Sequence, residues 1–314
     1  MSQKIAVAKL SVLSNSVLVA AKLVIGVLIG SVSVISEAIH SGVDLLAALI
    51  AFFAIKTSDA PADEKHSFGH GKFENLSGTI EAFLIFVAAA WILYEAINRL
   101  IKQAPLEQVG WGVIVMLVSS VVNIIVSEML FRVGNRTDSI ALKADAWHLR
   151  TDVYTSAGVM AGLGLIWLGK LIIPDVNLSW IDPVAAIAVA LMIIHAAYVL
   201  SKQAVADLVD TSLPGDEENW IKEKICSMYP AVYGFHNLRT RKSGSKRFIE
   251  FHIKVDPQMS VRDSHNLNDA LVREIKTTFP DSKVMVHIEP CDNPCEPKCR
   301  ENCLKPTADK AAAQ

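Results

Sequence analysis

The sequence is short of net charge, of cysteine and of polar residues, and these shortages narrow the kind of protein it encodes. The 314 residues carry a net charge of only −2 at pH 7, so the charge balance implies no nucleic-acid partner. Hydrophobic residues make up 52% of the chain, more than a soluble domain of this size would have. A membrane protein with several spanning segments is therefore the first interpretation.

Two sequence signals are also missing. The amino-terminal stretch MSQKIAVAKLSVLSNSVLVAAKLVIGVLIG runs directly into a long apolar segment without a small-residue cleavage site, so we expect no cleavable signal peptide. The His-Glu-x-x-His motif of helical metalloproteases does not occur, which argues against an intramembrane protease of that class.

Long hydrophobic runs dominate the first two thirds of the chain. Six stretches are long enough to cross roughly 30 Å of hydrocarbon as helices. A short turn near residues 30–33 joins the first two, GNRTDSI joins the fourth and fifth, and PDVNLSWIDP joins the last two. We therefore predict an α-helical membrane domain over residues 1–210, with its six helices near residues 5–30, 32–57, 73–102, 108–133, 141–169 and 181–207.

The distribution of basic residues predicts the orientation of these helices. One side of the bundle carries Lys4, Lys9, Lys56, Lys65, Lys72, Arg132, Arg136, Lys143 and Lys202, and the other carries only Arg99, Lys102 and Lys170. The positive-inside rule then places both termini in the cytoplasm. We expect a multi-pass protein of the bacterial inner (plasma) membrane, with the lipid bilayer as its surroundings.

From Leu213 onwards the composition predicts a small α+β domain, residues 211–290. PGDEENWIKEKICSMYP is typical of a capped amphipathic helix ended by Pro230. VYGFHNLRTR and KRFIEFHIKVD alternate apolar and polar residues around KSGS, which indicates a β-hairpin. A second helix in SVRDSHNLNDALVREIKTTFP and a last strand in SKVMVHIEP complete the order α-β-β-α-β. Residues 291–314 are a cysteine-rich tail whose last ten residues are expected to be disordered.

Two histidine–aspartate pairs interrupt the hydrophobic runs. His40 and Asp44 lie in the second run, and His148 and Asp152 repeat the same order and spacing in the fifth. A spacing of four places both members of a pair on one helix face, and ionisable groups in hydrocarbon are rarely kept without a function. Side by side, the two helices would offer two imidazoles and two carboxylates, which suit tetrahedral Zn²⁺. The alternative is two unrelated pairs, each satisfied by local hydrogen bonds.

The loop DEKHSFGHGKFE offers a second histidine cluster. Asp63, His66 and His70 are spaced by three and four residues, while Gly69 and Gly71 prevent a regular helix. An exposed metal site and a solvated polar loop explain this spacing equally well.

The small domain holds a third histidine set. Its histidines are predicted on the first strand, the second strand, the second helix and the last strand, at His236, His252, His265 and His287. Glu289 follows His287 by two residues, so both side chains point to the same strand face. Spacing alone is weak support for a metal site, because most single histidines on strands are not ligands. His195 falls outside all three sets and is interpreted as a packed or bundle-facing structural residue.

Taken together, these motifs resemble the cation diffusion facilitator family of metal transporters over residues 5–290. HSGVD and HLRTD match the family's transport site, and DEKHSFGHGK matches a loop site of one branch. GFHNLRTRKSG, FIEFH, DSHNLND and VHIEP match a cytoplasmic binuclear site. The combination is far more specific than any single motif.

The resemblance implies several properties that spacing does not reveal. The protein would be a homodimer that exchanges divalent metal for protons, with a metallochaperone-like cytoplasmic domain on each protomer. Metal at His236, His252, His265, His287 and Glu289 would draw the two cytoplasmic domains together and favour transport. Lys72 and Asp210 match positions that form a charged interlock at the dimer junction.

This chain departs from a well-known bacterial zinc transporter of the family at two ligand positions. That relative has aspartate at the positions of His40 and Glu289. Histidine in place of a carboxylate makes the intramembrane site softer, which favours Zn²⁺ over Mn²⁺ or Mg²⁺ and leaves Cd²⁺, Co²⁺ and Fe²⁺ open. The longer Glu289 side chain puts binuclear occupancy of the cytoplasmic site in question.

The tail is a larger departure, because its cysteines match no family role known to us. Cys291, Cys295, Cys299 and Cys303 are spaced by four. In the cytoplasm they would be reduced thiols, which could close a zinc site. Metal binding is slightly preferred over a flexible thiol-rich tail without a fixed site.

Other functions compete with zinc export. A membrane-tethered metal sensor or a partner-dependent subunit would keep the cytoplasmic site but has no need of two intramembrane pairs. A transporter mainly for Fe²⁺, Cd²⁺ or Mn²⁺ would use the same residues. Acid catalysis by the two membrane aspartates is poorly supported, because each aspartate comes with a histidine partner.

Overall fold

A computed structural model describes the chain over residues 3–29, 32–102, 112–172, 180–291 and 300–305. The chain forms two compact units, Met1–Val205 and Ala206–Gln314. The first unit is entirely helical where it is described, and the second combines helices with a small sheet. The predicted fold class is therefore confirmed.

Six long helices make up the first unit. Each begins and ends within about four residues of its predicted position. Five of them contain an apolar stretch long enough to cross a membrane, judged by length and hydropathy: α1, α2, α3, α4 and α6. The helices are α1 Gln3–Ile29, α2 Val32–Ser58, α3 Lys72–Lys102, α4 Gly112–Thr137, α5 Ile140–Ile172 and α6 Ile181–Leu208.

Helix α5 differs from the others because its first half carries many ionisable side chains, namely Lys143, Asp145, His148, Arg150 and Asp152. It is nevertheless central to the bundle. One apolar cluster joins it through Leu142 and Leu149 to α1, α2 and α4, and a second joins it through Ile140 and Ala144 to α3 and α6. The charged half of α5 is therefore surrounded by packed helices, which is where polar groups in a membrane protein are tolerated.

The connection between α4 and α5 is shorter than predicted, so the prediction of GNRTDSI as a loop was wrong. Helix α4 continues to Thr137, and only Asp138 and Ser139 separate it from α5. Gly134 lies within α4, and α5 passes so close to it that an added Cβ would lie 3.2 Å from the Leu142 Cβ atom. The glycine thus permits close helix packing here and does not end the helix.

The second unit has the predicted order of elements. Strands β1 and β2 pair antiparallel, and β2 and β3 pair parallel, in the sheet order β1-β2-β3. On β2 the residues Ile249, Phe251 and Ile253 are buried against the helices, while the residues between them face the other way. The elements are α7 Gly215–Cys226, β1 Gly234–Ser243, β2 Lys246–Val255, α8 Val261–Thr278 and β3 Lys283–Pro290.

Only one of the two short helices begins with a side-chain cap. At α8 the Ser260 side chain accepts a hydrogen bond from the backbone N–H of Asp263. The predicted cap of α7 was wrong, because Pro214 occupies its N-cap position and has no side-chain acceptor. Acidic residues in the first turn, Asp216 and Glu217 among them, stabilise the helix dipole there instead.

A close helix contact yields a stability prediction. A Cβ added at Gly158 of α5 would lie 2.7 Å from Cγ2 of Val189 on α6, closer than packed atoms allow. We expect Gly158→Ala to lower the free energy of unfolding by about 1–3 kcal/mol, because the β-branched valine has little rotamer freedom to move aside. Thermal unfolding of the purified protein measures this.

The matched control is the double variant Gly158→Ala with Val189→Ala, which removes the obstructing methyl groups. It should recover at least half of the stability lost in the single variant. A double variant that loses as much stability as Gly158→Ala and Val189→Ala lose separately, added together, would show that the two residues do not meet.

Candidate metal sites

The two histidine–aspartate pairs converge between α2 and α5. We call His40, Asp44, His148 and Asp152 the intramembrane site. The His148 Nε2 atom lies 3.0 Å from Asp44 Oδ1, and the His40 Nε2 atom lies 3.7 Å from Asp152 Oδ1. One ligand atom from each of His40, Asp44 and Asp152 lies within 4.8 Å of the others. Each histidine therefore faces the aspartate of the other helix.

Burial within the intramembrane site is uneven. Asp44 and His148 are only 4% and 7% exposed, whereas His40 is exposed at the rim. A cavity of about 190 Å³ opens onto the site, and its polar lining includes Asn15, Lys22, Ser119, Asn123 and Thr155. The cavity thus places hydroxyl and amide oxygens, together with the Lys22 ammonium, beside the carboxylates of Asp44 and Asp152.

Nearby charged residues are held away from the ligand atoms by their own partners. Arg150 donates to Ser127 Oγ and pairs with Glu128, so it points to α4. Lys22 is buried, and its Nζ donates to Ser41 Oγ at 2.8 Å. His195 is exposed on α6, so the prediction that it packs within the bundle was wrong.

The loop cluster also comes together, and we call Asp63, His66 and His70 the loop site. His66 Nδ1 and His70 Nε2 each lie 3.3 Å from an oxygen of Asp63, and the two rings are 4.4 Å apart. Gly69 has a φ of +87°, which turns the chain so that both rings face one carboxylate. On the far side of its ring, His70 Nδ1 lies 3.1 Å from the Pro61 carbonyl oxygen.

Hydrogen bonds keep the Asp63 carboxylate charged. Its Oδ1 atom accepts from the backbone N–H groups of His66 at 2.6 Å and Lys65 at 2.9 Å. These bonds, the His66 amide first, lower the pKa of Asp63 below its ordinary value. The loop therefore presents an ionised carboxylate between two imidazoles, as a divalent cation would require.

In the carboxyl-terminal domain, strand register aligns three histidines. His236 of β1 lies opposite His252 of β2, and His252 lies opposite His287 of β3. Their rings are 5.0 and 4.7 Å apart along this row. Glu289 contacts all three, with His252 nearest at 2.8 Å and the others at 3.5 Å. We call these four residues the sheet site.

A β-bulge sets the position of His236 in this row. The register of β1 shifts between His236 and Arg239, where Asn237 has a φ of +51°. Asparagine tolerates this left-handed conformation better than most residues. The bulge thus adds one residue to β1 while His236 stays opposite His252.

Lys254 competes for the carboxylate of the sheet site. Its Nζ lies 2.7 Å from Glu289 Oε2. Partial burial works to raise the pKa of Glu289, but hydrogen bonds from Lys254 and His252 outweigh it and hold that pKa below its ordinary value. Glu289 is therefore ionised, and its charge is shared with a lysine.

Several predicted residues are not brought to these sites. His265 lies apart from the sheet site: its side chain is 71% exposed, and its Nε2 lies 3.5 Å from Asp269. Cys291 and Cys303 lie at the same end of the sheet, next to Val255 and Gly234. Cys295 and Cys299 lie outside the described residues.

The predicted interlock residues belong to different units, and their pairing stays a prediction. Lys72 is the first residue of α3. Asp210 accepts from Arg241 at 3.3 Å within the second unit.

Three ionisable residues near the sites were missed by the sequence analysis. Lys254 belongs to no metal-binding motif, and only its contact with Glu289 identifies it as part of the sheet site. Glu81 and Asp145 are almost wholly buried in the helical unit. A charge inside the apolar run TIEAFLIF, and an aspartate three residues before His148, were the signals that could have found them.

Comparison with known proteins adds family information. A family model described as the cation efflux transmembrane domain matches residues 8–209. A second, described as the cytoplasmic domain of cation efflux proteins, matches residues 213–291. The two together span nearly all of the described structure.

Individual relatives agree with these models. The uncharacterised transporter sll1263 of Synechocystis sp. is 36% identical over 265 residues, covering 84% of this chain and 83% of that protein. The cation-efflux pump FieF of Escherichia coli K12 is 34% identical over 264 residues, covering 83% and 84%. A solved metal-bound C-terminal domain of the CzcD transporter from Thermotoga maritima is 32% identical, covers 26% of this chain and 98% of that one, and has a TM-score of 0.24.

The lysine at the sheet site gives a binding prediction. Lys254→Met should raise zinc affinity there about fivefold, the equivalent of ~1 kcal/mol, because the cation no longer competes for Glu289. Competition with a chelating dye measures the affinity, in full-length protein that also carries Asp152→Ala and His70→Ala to weaken the other sites.

The matched control is Lys222→Met, which removes an exposed lysine paired with Glu218 away from the histidines. It should leave zinc affinity unchanged. Equal or weaker binding in Lys254→Met would mean that Glu289 takes no part in holding the metal.

Proposed function

The chain belongs to the cation efflux family of membrane transporters, and we propose that it is a homodimer that exports Zn²⁺ from the cytoplasm in exchange for protons. It is a multi-pass membrane transporter of divalent metal cations and not an enzyme. Beyond family membership, the proposal names Zn²⁺ as the transported metal, protons as the counter-ions and a homodimer as the assembly. It also places the chain in a bacterial inner membrane with both termini in the cytoplasm.

The observation that carries the proposal is the pairing of two imidazoles with two carboxylates across α2 and α5. Four such donors within the bundle match the ligand number and type of a tetrahedral zinc site. A resident structural metal has no need of an open cavity, whereas a transported ion does. The polar cavity at the site therefore supports a site for cargo.

Zinc is favoured by the donor set. Two neutral nitrogen donors make the site softer than an all-carboxylate site, which disfavours Mn²⁺ and Mg²⁺. Solved relatives of the carboxyl-terminal domain include a zinc form of the transporter CzrB. Cd²⁺, Fe²⁺ and Co²⁺ tolerate the same donors and are the competing cargoes.

The cross-helix pairs support proton exchange as the coupling mechanism. When metal is absent, a proton on each imidazole would form an ion pair with the aspartate of the facing helix: His148 with Asp44, and His40 with Asp152. Because the ordinary pKa of histidine is near 6.5, metal and protons compete close to neutral pH. Metal entry would release these protons, and protons from the outer side would displace the metal.

The carboxyl-terminal domain supplies regulation in this proposal. His236, His252, His287 and Glu289 would hold a regulatory zinc ion, and the three donors that already converge are His236, His252 and Glu289. His265 would be a ligand of a second metal ion, as the family resemblance implies. The match of residues 213–291 to a domain that dimerises in this family supports the homodimer.

The proposal also assigns roles to the loop site, to the charged interlock and to the cysteine-rich tail. Asp63 and His66 are exposed and His70 is largely buried, and the three lie just before α3, suited to receiving metal in the unit that holds the cavity. Lys72 and Asp210 would interlock at the dimer junction. The tail cysteines would hold a further zinc ion.

Loss of one carboxylate tests the proposal. Asp152→Ala should abolish zinc uptake into proteoliposomes, because the site would lose a ligand and His40 its partner. A zinc-sensitive dye inside the vesicles reports uptake with and without an imposed pH gradient. His195→Ala, which changes a membrane histidine outside the site, should transport normally.

Zinc uptake that is indifferent to the pH gradient would refute proton exchange but leave zinc transport standing. Normal uptake by Asp152→Ala would refute the site assignment. No uptake of any metal by the wild-type protein, together with tight zinc binding, would indicate a sensor or a partner-dependent subunit.

Exchange of a ligand tests the selectivity argument. His40→Asp makes the site more anionic and harder, so transport of Mn²⁺ relative to Zn²⁺ should rise by about tenfold. Parallel uptake assays with the two metals give the ratio. A variant that keeps the wild-type ratio would show that His40 does not set the metal preference.

A further inference from the structure

A second cavity lies between the end of α4 and the first half of α5, apart from the ligands of the metal sites. It measures about 590 Å³, and its lining combines three arginines with three aromatic rings. We call it the arginine groove, after its lining residues Arg132, Arg136, Arg150, Phe131, Trp147 and Tyr154.

Positive charge exceeds negative charge in the arginine groove. Its three guanidinium groups share the lining with one carboxylate, that of Glu128. Arg150 takes up much of this carboxylate, because its Nη2 atom donates to Glu128 Oε2 at 2.9 Å while its Nε atom donates to Ser127 Oγ. Arg132 comes only within 3.8 Å of the other Glu128 oxygen, which is too long for a hydrogen bond. Two positive charges in the lining therefore have no carboxylate of their own.

The two arginines of α4 stand at the rim of the groove. The Arg132 side chain is 69% exposed, and Arg136 is exposed one turn further along the same helix face. Within the described parts of the chain, Arg136 forms no ion pair, and the nearby Asp138 pairs with Lys143 at 3.0 Å. Two guanidinium groups one turn apart can each donate to oxygens of the same phosphate group.

Aromatic side chains form the wall below this rim. The Phe131 and Trp147 rings pack edge to face at 5.5 Å, and the Arg150 guanidinium lies 5.7 Å from the centre of the Phe131 ring. Tyr154 follows Trp147 by two helical turns on the same face of α5, which places it about 10 Å further along the helix. The groove thus combines a cationic rim with an aromatic wall long enough to contact part of an acyl chain.

The position of the groove in the bundle indicates what this combination would meet. The apolar span of α4, Leu117–Thr137, ends within about two turns of both rim arginines. The end of a spanning helix lies at the level of the lipid headgroups, with acyl chains beneath them. Basic cavities between spanning helices are suited to anionic headgroups, and aromatic rings favour the same interface. A soluble phosphate ester carries the same charge but has no chain to cover the aromatic wall.

We propose that the arginine groove binds an anionic phospholipid, with the headgroup phosphate on Arg132 and Arg136 and an acyl chain along the aromatic rings. Glu128 opposes the phosphate and weakens its binding. The inference depends on the membrane location of the chain and is independent of which metal the protein carries.

Counting bound lipids by native mass spectrometry tests the groove. Purified full-length protein in a neutral detergent is titrated with phosphatidylglycerol, or with phosphatidylcholine of the same acyl chains. The wild-type protein should bind its first phosphatidylglycerol about tenfold more tightly than phosphatidylcholine, and Arg132→Gln with Arg136→Gln should lose most of that preference. The matched control, Lys56→Gln with Lys202→Gln, removes two exposed lysines near the ends of α2 and α6 and should keep the preference.

A variant with the opposite expected effect distinguishes lost binding from lost folding. Glu128→Gln removes the carboxylate of the lining, so it should strengthen phosphatidylglycerol binding about threefold and leave phosphatidylcholine binding unchanged. An unchanged phosphatidylglycerol preference in a folded Arg132→Gln with Arg136→Gln protein would overturn the proposal. Weaker phosphatidylglycerol binding in Glu128→Gln would also overturn it.

Two further results would assign the groove to something other than lipid. Displacement of phosphatidylglycerol by an equal concentration of glycerol phosphate would indicate a site for soluble phosphate esters. Dissociation of a wild-type oligomer in Arg132→Gln with Arg136→Gln, with lipid preference unchanged, would indicate a contact between protein chains. Either result would overturn the proposal, and neither would affect the account of zinc uptake.

Discussion

The pairing of a histidine on one helix with an aspartate on another is the interaction on which the proposed transport mechanism depends. His148 faces Asp44, and His40 faces Asp152, so α2 and α5 are joined at two points inside the bundle. In hydrocarbon these groups are tolerable only as neutral pairs or as ligands of a cation. The same side chains can therefore be satisfied by two protons or by one divalent ion, and the proposed exchange rests on that equivalence.

The rest of the helical unit supports this arrangement. Helix α5 lies in both apolar clusters of the bundle, so its charged half is enclosed on several sides. Small residues at Gly134 and Gly158 allow α4 and α6 to approach α5 closely. Two further carboxyl groups, those of Glu81 on α3 and Asp145 on α5, are buried in the same unit. Many of the ionisable side chains in this bundle lie on α5. Changes in the packing of α5 and changes in protonation therefore affect the same intramembrane site.

Part of this architecture was predictable from sequence because it is local. A spacing of four fixes which residues share a helix face, so His40 and Asp44 were predictable as a unit, and long apolar runs give the helices. The row of His236, His252 and His287 depends on strand register and on a bulge at Asn237, which no local pattern encodes. Lys254 contacts Glu289, a partner distant in sequence, so it was missed. The α4–α5 connection was misjudged because Gly134 serves packing there.

The most direct test of the central claim is zinc X-ray absorption on full-length protein in which His70, His252 and the four tail cysteines are replaced by alanine or serine. The account predicts that zinc remains bound through four nitrogen and oxygen ligands at about 2.0–2.1 Å, two of them imidazoles. It also predicts that Asp152→Ala in the same background loses that signal. Absence of bound zinc, or a spectrum without imidazole ligands, would contradict the assignment of a metal site to the paired helices.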